Sequence, residues 1–467
     1  MVEILGEEMS NTTKINKVKT DRMDEENLNK VILQYACPAI ISGLVASIYN
    51  IVDQIFIGNI VGIEGNAATN VTFPLVTLTT AIMLLIGLGG AINFNIMLGR
   101  KELGAAKKYV GVILLLTPLA GVVISILTLL FSEELLWFFG ATDSNFQYAY
   151  DYIRITAIGF PFSMASAAYA KLIRSDGSPK YSMICLVSGA ILNCLLNPLF
   201  MIVFKMGMEG AAYATVVGQV ISWLLTVVYF WRFKSFKISF TEITPSFAAI
   251  KQTLIMGASP ALNQVAMMAT QIVMNNVFSY YGELSKYGSE VTLACVGIIS
   301  KVTSLYMAIM IGIAQGAQPL LGFSFGANDH KKVIQIYFLC IKYATTISLA
   351  VFIIFQVFPA QILAIFGANG ELYFQFGISY FRIYMFMTFL NGIQPITSNF
   401  FAAIGKPYKS MIVSLSKQFI CLIPLLIILP QFLGITGTLY AGPISDVIAF
   451  GITIVLVRKE VKFTLGN

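Results

Sequence analysis

Long apolar stretches alternate with short polar breaks along almost the whole chain. Twelve stretches have the roughly 20 mostly apolar residues that a helix needs to cross a bilayer. They cover residues 33–57, 70–97, 109–131, 150–172, 181–204, 210–231, 253–280, 291–322, 334–357, 373–401, 410–430 and 434–457. The runs are too long and continuous for the alternating strands of a membrane barrel, and an open sheet edge cannot face lipid. The pattern therefore predicts an all-α integral membrane fold of twelve transmembrane helices.

The pattern also repeats. Pro38 falls on Pro260 and Phe56 on Phe278 at an offset of 222 residues, and Phe139-Gly140-Ala141 matches Phe366-Gly367-Ala368 at 227. Tyr152-Ile-Arg154 matches Tyr380-Phe-Arg382, and Gly177-x-Pro179 matches Gly405-x-Pro407, both at 228. Gly207-x-x-Gly210-x-x-Tyr213-Ala214 matches Gly434-x-x-Gly437-x-x-Tyr440-Ala441. Six spans per copy is an even number, so both copies enter the membrane from the same side. Two six-helix lobes related by a pseudo-two-fold axis along the membrane normal are expected. The expected divisions are an N-terminal segment 1–30, a lobe 31–231, a linker 232–252, a lobe 253–457 and a tail 458–467. Such a pair encloses a cavity that rocking can open to either side; a purely scaffolding role for the duplicated bundle is the alternative.

Composition agrees: 57% of residues are hydrophobic and 11% charged, against about 25% charged in a soluble domain. The formal charge of +7 is unevenly placed. Lysine and arginine crowd the segment before the first span and then every second break: Arg100–Lys108, then Lys171, Arg174 and Lys180, then Arg232–Lys251, Lys331–Lys332, Lys406–Lys409 and Arg458–Lys462. By the positive-inside rule those breaks and both termini are cytoplasmic. The basic surplus is then topological, and no nucleic-acid partner is expected. The polar first thirty residues, with Asp21, Asp24, Glu25 and Glu26, do not read as a cleavable signal peptide, so the first span serves as its own insertion signal. With one histidine, His330, and no CxxC pair, GxxxxGK[ST] or HExxH motif, neither an enzyme nor ATP-driven transport is expected, and no cofactor.

Several collinear segments resemble the multidrug and toxic compound extrusion (MATE) family, in its MepA-like bacterial branch. They are Tyr49-Asn-Ile-Val-Asp53-Gln-Ile-Phe-Ile-Gly58, Ile173-Arg-Ser-Asp-Gly-Ser-Pro-Lys180, Gly207-Met-Glu-Gly-Ala-Ala-Tyr-Ala-Thr215, Gly312-Ile-Ala-Gln-Gly-Ala-Gln-Pro-Leu-Leu-Gly322 and Pro443-Ile-Ser-Asp446. The resemblance covers about residues 30–460. It implies secondary active export of cationic or amphipathic small molecules, exchanged against H+ or Na+. It further implies a monomer among the lipids of a bacterial cytoplasmic (inner) membrane.

Ionisable groups in hydrocarbon are costly, so each is a candidate. Asp53 shares a helix face with Tyr49 and follows Asn50; a carboxylate there is linked in the family to cation coupling, with holding a helix terminus as the structural alternative. Asn193 and Asn197, four residues apart, share a face of the fifth span, and Thr215 of the sixth matches another polar position of that family pocket. Family members commonly have Asp where this chain has Asn197, and an amide cannot carry a proton. Either Asp53 acts alone or a sodium ion, the one metal considered, is held by Asp53 with amide and hydroxyl oxygens. For Asn193 and Asn197 plain interhelical bonding is the alternative. Pro38 removes a backbone hydrogen bond and predicts a kink, static or switching. Tyr49, Asn50, Gln264, Asn275, Asn276, Gln315, Asn391 and Asp446 are candidates for a wet cavity. Asp446 is expected to pair with Lys301 or Lys417, a second cation or substrate site being the alternative. Arg154 and Arg382 read as snorkelling residues anchored beside Tyr152 and Tyr380. The runner-up function is a flippase for a lipid-linked precursor.

Overall fold

The structure, a computed structural model, describes residues 28–238, 244–366 and 370–465. The basic cluster Lys14–Arg22 and the Gly367-Ala368 part of the repeat lie outside the described residues. All twelve apolar stretches form helices, the tenth of them in three pieces. In the first copy they are α1 (Leu28–Ile60), α2 (Ile63–Gly99), α3 (Leu103–Leu130), α4 (Phe146–Ser175), α5 (Pro179–Val203) and α6 (Gly207–Phe230). In the second they are α7 (Phe247–Glu283), α8 (Gly288–Gly326), α9 (His330–Val357), α10 (Glu371–Ile383, Thr388–Asn391 and Ile393–Ala403), α11 (Pro407–Leu433) and α12 (Ile435–Leu465). Short helices Ser132–Phe138 and Pro359–Ile365 occupy equivalent places in the two copies.

Nine of the twelve are by themselves long and apolar enough to cross a membrane. Of the other three, α4 and α7 carry more polar residues along their length, and α10 is divided into shorter pieces. The chain breaks α10 in its middle; across the break the Tyr306 hydroxyl donates to the Thr388 carbonyl at 3.2 Å, so the irregular backbone is satisfied by protein, as it must be where water is scarce.

Four boundaries move. α1 already includes Leu28, inside the expected segment 1–30. Ser246 caps α7, its Oγ accepting from the Ala249 N–H at 3.2 Å, so that helix starts inside the expected linker 232–252. The expected tail 458–467 continues α12 as far as Leu465. Most consequentially, α4 runs to Ser175, past the expected end at residue 172, which makes Arg174 helical as well as Lys171.

The lobes meet along one seam in the half nearer the basic loops, where α1 packs on α8 and α2 on α7 and α8. Here the backbones nearly touch. A Cβ on Gly257 would lie 1.9 Å from the Leu85 carbonyl oxygen, and one on Gly326 would lie 2.1 Å from the Ile96 oxygen. Only glycine permits that approach. The turn Asp176-Gly177-Ser178-Pro179 follows the same logic at the basic face: Gly177 has φ +87°, and Pro179 starts α5. The buried Asp176 carboxylate accepts from the Lys234 and Ser235 backbone N–H groups at 2.7 and 2.8 Å, fastening the segment after α6 to the α4–α5 turn. In the other lobe the buried Glu460 plays the corresponding part, bridging to Lys406 and, at 2.7 Å, to Lys409.

Candidate functional site: a polar chain in one lobe and a cavity between two

Inside the N-terminal lobe α1, α5 and α6 bring four polar side chains into one hydrogen-bonded chain. Asp53, 8% exposed, accepts at Oδ1 from Asn197 Nδ2 at 2.8 Å. Asn197 Nδ2 also reaches Asn193 Oδ1 at 3.3 Å, and Asn193 Nδ2 donates to Thr215 Oγ1 at 3.0 Å. The i, i+4 spacing of the two asparagines puts both on the α5 face that meets α1 and α6. Tyr49 and Tyr152 stand beside the carboxylate. The Asn197 Oδ1 atom is buried without a hydrogen-bond partner. One carboxylate, two amide oxygens and a hydroxyl make an oxygen donor set that suits a proton on Asp53 or a small hard cation such as Na+.

Between the lobes lies an open cavity of about 760 Å³. Its floor is the inter-lobe seam, reached at Gly43, Ala308 and Gly312, and its walls rise to Met274 and Tyr380 in the other half of the bundle. Most of the lining is apolar and flexible, with Met267, Met268, Met307 and Phe73 prominent. In the C-terminal wall Lys417 bridges to Asp446 Oδ1 at 2.7 Å and donates to Asn391 Oδ1 at 2.7 Å. A wide π-helical segment, Ser416–Leu422, presents this lysine, whereas the equivalent stretch of α5 is ordinary α-helix; such segments often mark functional positions.

A MatE family model matches residues 38–199 and 260–428. The chain belongs to the MatE family. Known relatives include the multidrug export protein MepA of Staphylococcus haemolyticus, 24% identical over 428 residues, which span 91% of this chain and 92% of that protein. The fold matches that of a multidrug resistance MATE family transporter of the MOP superfamily in an outward-facing conformation, with a TM-score of 0.87 and 23% identity over 94% of this chain and 97% of the other. It equally matches a MOP superfamily transporter from Pyrococcus furiosus described as having a binding pocket of reverse polarity, with a TM-score of 0.87, 24% identity and coverage of 93% and 96%.

The sequence-derived candidates of this MatE chain separate into three groups. Asp53, Asn193, Asn197 and Thr215 come together. Gln264, Gln315, Asn391 and Asp446 line the cavity, and Asp446 takes Lys417 rather than Lys301 as its partner. Four expected cavity residues do not line it. Tyr49 turns to Asp53, while Asn50 and Asn275 sit one turn beyond the lining residues Ala46 and Gln271 on the same helix faces, past the rim, with Asn276 next to them. Asn50 bonds back to the Ala46 carbonyl and Asn275 accepts from Gln271, both at 2.9 Å. Pro38 is buried within an unbroken α1. Tyr152 and Tyr380 are not surface anchors: the first faces the Asp53 chain, and the second is buried in the C-terminal lobe. Arg154 and Arg382 are exposed.

Sequence reasoning missed Lys171 and Arg174 as lining residues. The repeat held the signal. The equivalent stretch of the second copy, Asn399-Phe-Phe-Ala402, is uninterrupted helix, so α4 should have been extended by one turn.

Proposed function

We propose that this chain is a secondary multidrug exporter, moving amphipathic small molecules out of the cell in exchange for a proton or sodium ion bound at the Asp53 chain. It works as a monomer in the cytoplasmic membrane, with both termini inside. One observation carries this reading: α1 holds Asp53 in the lobe interior and, from Ser42 to Ser47, forms part of the cavity wall. The two places are on the order of 10 Å apart along one rigid helix. An ion that favours one packing of α1, and cargo that favours another, exchange through α1 without sharing a ligand. With the basic loops inside, the closed seam is cytoplasmic and the cavity is open outward, the state that takes up the ion and releases cargo.

The export names of relatives support this over a lipid-linked precursor flippase. Resemblance puts cationic cargo first, but the fixed charge of this cavity does not repeat that preference. The test is transport in proteoliposomes of fluorescent amphipaths of either charge, under an imposed proton gradient and, separately, a sodium gradient. Uptake or efflux driven by at least one gradient is expected; failure of both, for every probe, overturns the exporter reading.

A further inference from the structure

Three basic side chains and one acidic one line the cavity, Lys171, Arg174 and Lys417 against Asp446. Lys417 and Asp446 cancel each other at 2.7 Å. Among the described residues Lys171 and Arg174 have no counter-charge. They stand three residues apart on one face of α4, with no carboxylate of the described residues within ion-pairing distance. Arg174 is 5% exposed. Among the described residues its side chain makes one hydrogen bond, across the seam to Gln315 Oε1 at 3.4 Å, and its Nε has no partner.

A guanidinium buried with unused donors is expensive, and two adjacent cations more so. A bland reading would have them offset the carbonyl end of α4. Neither side chain donates to those carbonyls, however, and both line the cavity instead. Arginine's planar fork matches carboxylate and phosphate oxygens, and the lysine beside it adds a second positive charge.

We propose that Lys171 and Arg174 form an anion seat at the floor of the central cavity, so that the preferred cargo is an amphipathic anion. Its carboxylate or phosphate rests on these two residues, and its apolar body lies against Met267, Met268, Met307 and Phe73. This names the substrate class of the exporter proposed above and rests on that reading for transport, but not for binding. The anion can come from a free organic acid or from a lipid headgroup.

The test uses the purified full-length protein and two probes with one body: dansyl-labelled undecanoate and dansyl-labelled undecylamine. Binding in detergent is read by fluorescence. The carboxylate should bind more tightly than the amine, and Lys171→Gln and Arg174→Gln should each weaken it about tenfold or more. Lys171→Arg should retain binding, and the amine should bind the neutralised variants at least as well as the original. Equal binding of the two probes, or carboxylate binding indifferent to both substitutions, overturns the anion seat. Thermal unfolding identifies any variant that fails to fold, and Lys171→Arg then decides. Reconstitution separates the two proposals: a seat that binds the carboxylate in a protein that no gradient drives sinks the exporter reading alone. Gradient-dependent movement of labelled phosphatidylglycerol, lost in Arg174→Gln, identifies a lipid as the source of the anion; movement of undecanoate alone identifies a free acid.

Discussion

Asn197 on α5 donates its side-chain N–H to the Asp53 carboxylate on α1 across 2.8 Å, in the dry interior of one lobe. The lobes are copies, yet this contact exists in only one: the repeat partners of Asp53 and Asn197 are Asn275, past the cavity rim, and Leu425. The polar chain is therefore asymmetric within a symmetric frame.

Asp53→Asn keeps the shape and a hydrogen-bonding group but removes the carboxylate from the Asp53–Asn197–Asn193–Thr215 set. Gradient-driven transport in proteoliposomes should fall at least about tenfold, while the unfolding temperature changes little, because a neutral amide is cheaper to bury than a carboxylate. Full gradient dependence in the variant would show that the ion binds elsewhere.

Much of this was legible in the sequence, and the exceptions have physical causes. Twelve spans and two parallel copies follow from helix length and repeat offset, and the shared face of Asn193 and Asn197 from i, i+4 spacing; that Asp53 and Thr215 join them was implied by the family resemblance. The cavity was less legible because a polar residue on a helix looks the same whether it stops at the cavity wall, as Gln271 does, or one turn beyond, as Asn275 does. Lys171 and Arg174 were hidden by their neighbourhood. Both were counted among the basic residues that set the topology, and although the repeat extends α4 past them, the packing of α4 is what shows that they line the cavity. The choice of Lys417 over Lys301 was not legible either, since both sit on apolar helices and only the folded chain brings Lys417 to Asp446, at 2.7 Å.

The Lys417–Asp446 bridge is a structural element of the C-terminal wall. Asp446→Asn leaves Lys417 facing Asn391 alone, and loss of one partner of a buried pair costs roughly 3 kcal/mol, reduced where water reaches the survivor. Combining Asp446→Asn with Lys417→Met should restore most of that loss. Denaturation in detergent measures both; a single variant as stable as the original would make the bridge energetically idle.

Asp176 receives two backbone N–H groups and the Tyr229 hydroxyl, the last at 2.7 Å. Asp176→Ala strands those donors at a buried turn, at a cost of about 2 kcal/mol or more. The damage should be local. Limited proteolysis at the segment around Lys234 and Ser235 should accelerate well before global unfolding; an unchanged cleavage rate there would argue that the turn is held by other contacts.

The seam offers a way to move the conformational equilibrium without touching either binding site. Because a Cβ at residue 257 would fall 1.9 Å from the Leu85 oxygen and 2.5 Å from its carbonyl carbon, Gly257→Val cannot be absorbed by a side-chain rotation and must push α7 from α2. The strain is confined to the state in which the lobes are closed at the basic face, since opening there separates the two helices, so the substitution should populate the opposite state. Spin labels at Glu102 and Asn328, both exposed on the basic face and in different lobes, would report longer separations in Gly257→Val than in the unsubstituted protein. With the orientation proposed above, in which the cavity opens outward, the same variant should release less of a pre-bound probe to the outer side. A distance distribution that does not move would mean that the seam yields by local repacking, and that the lobes do not rock about it as two rigid bodies.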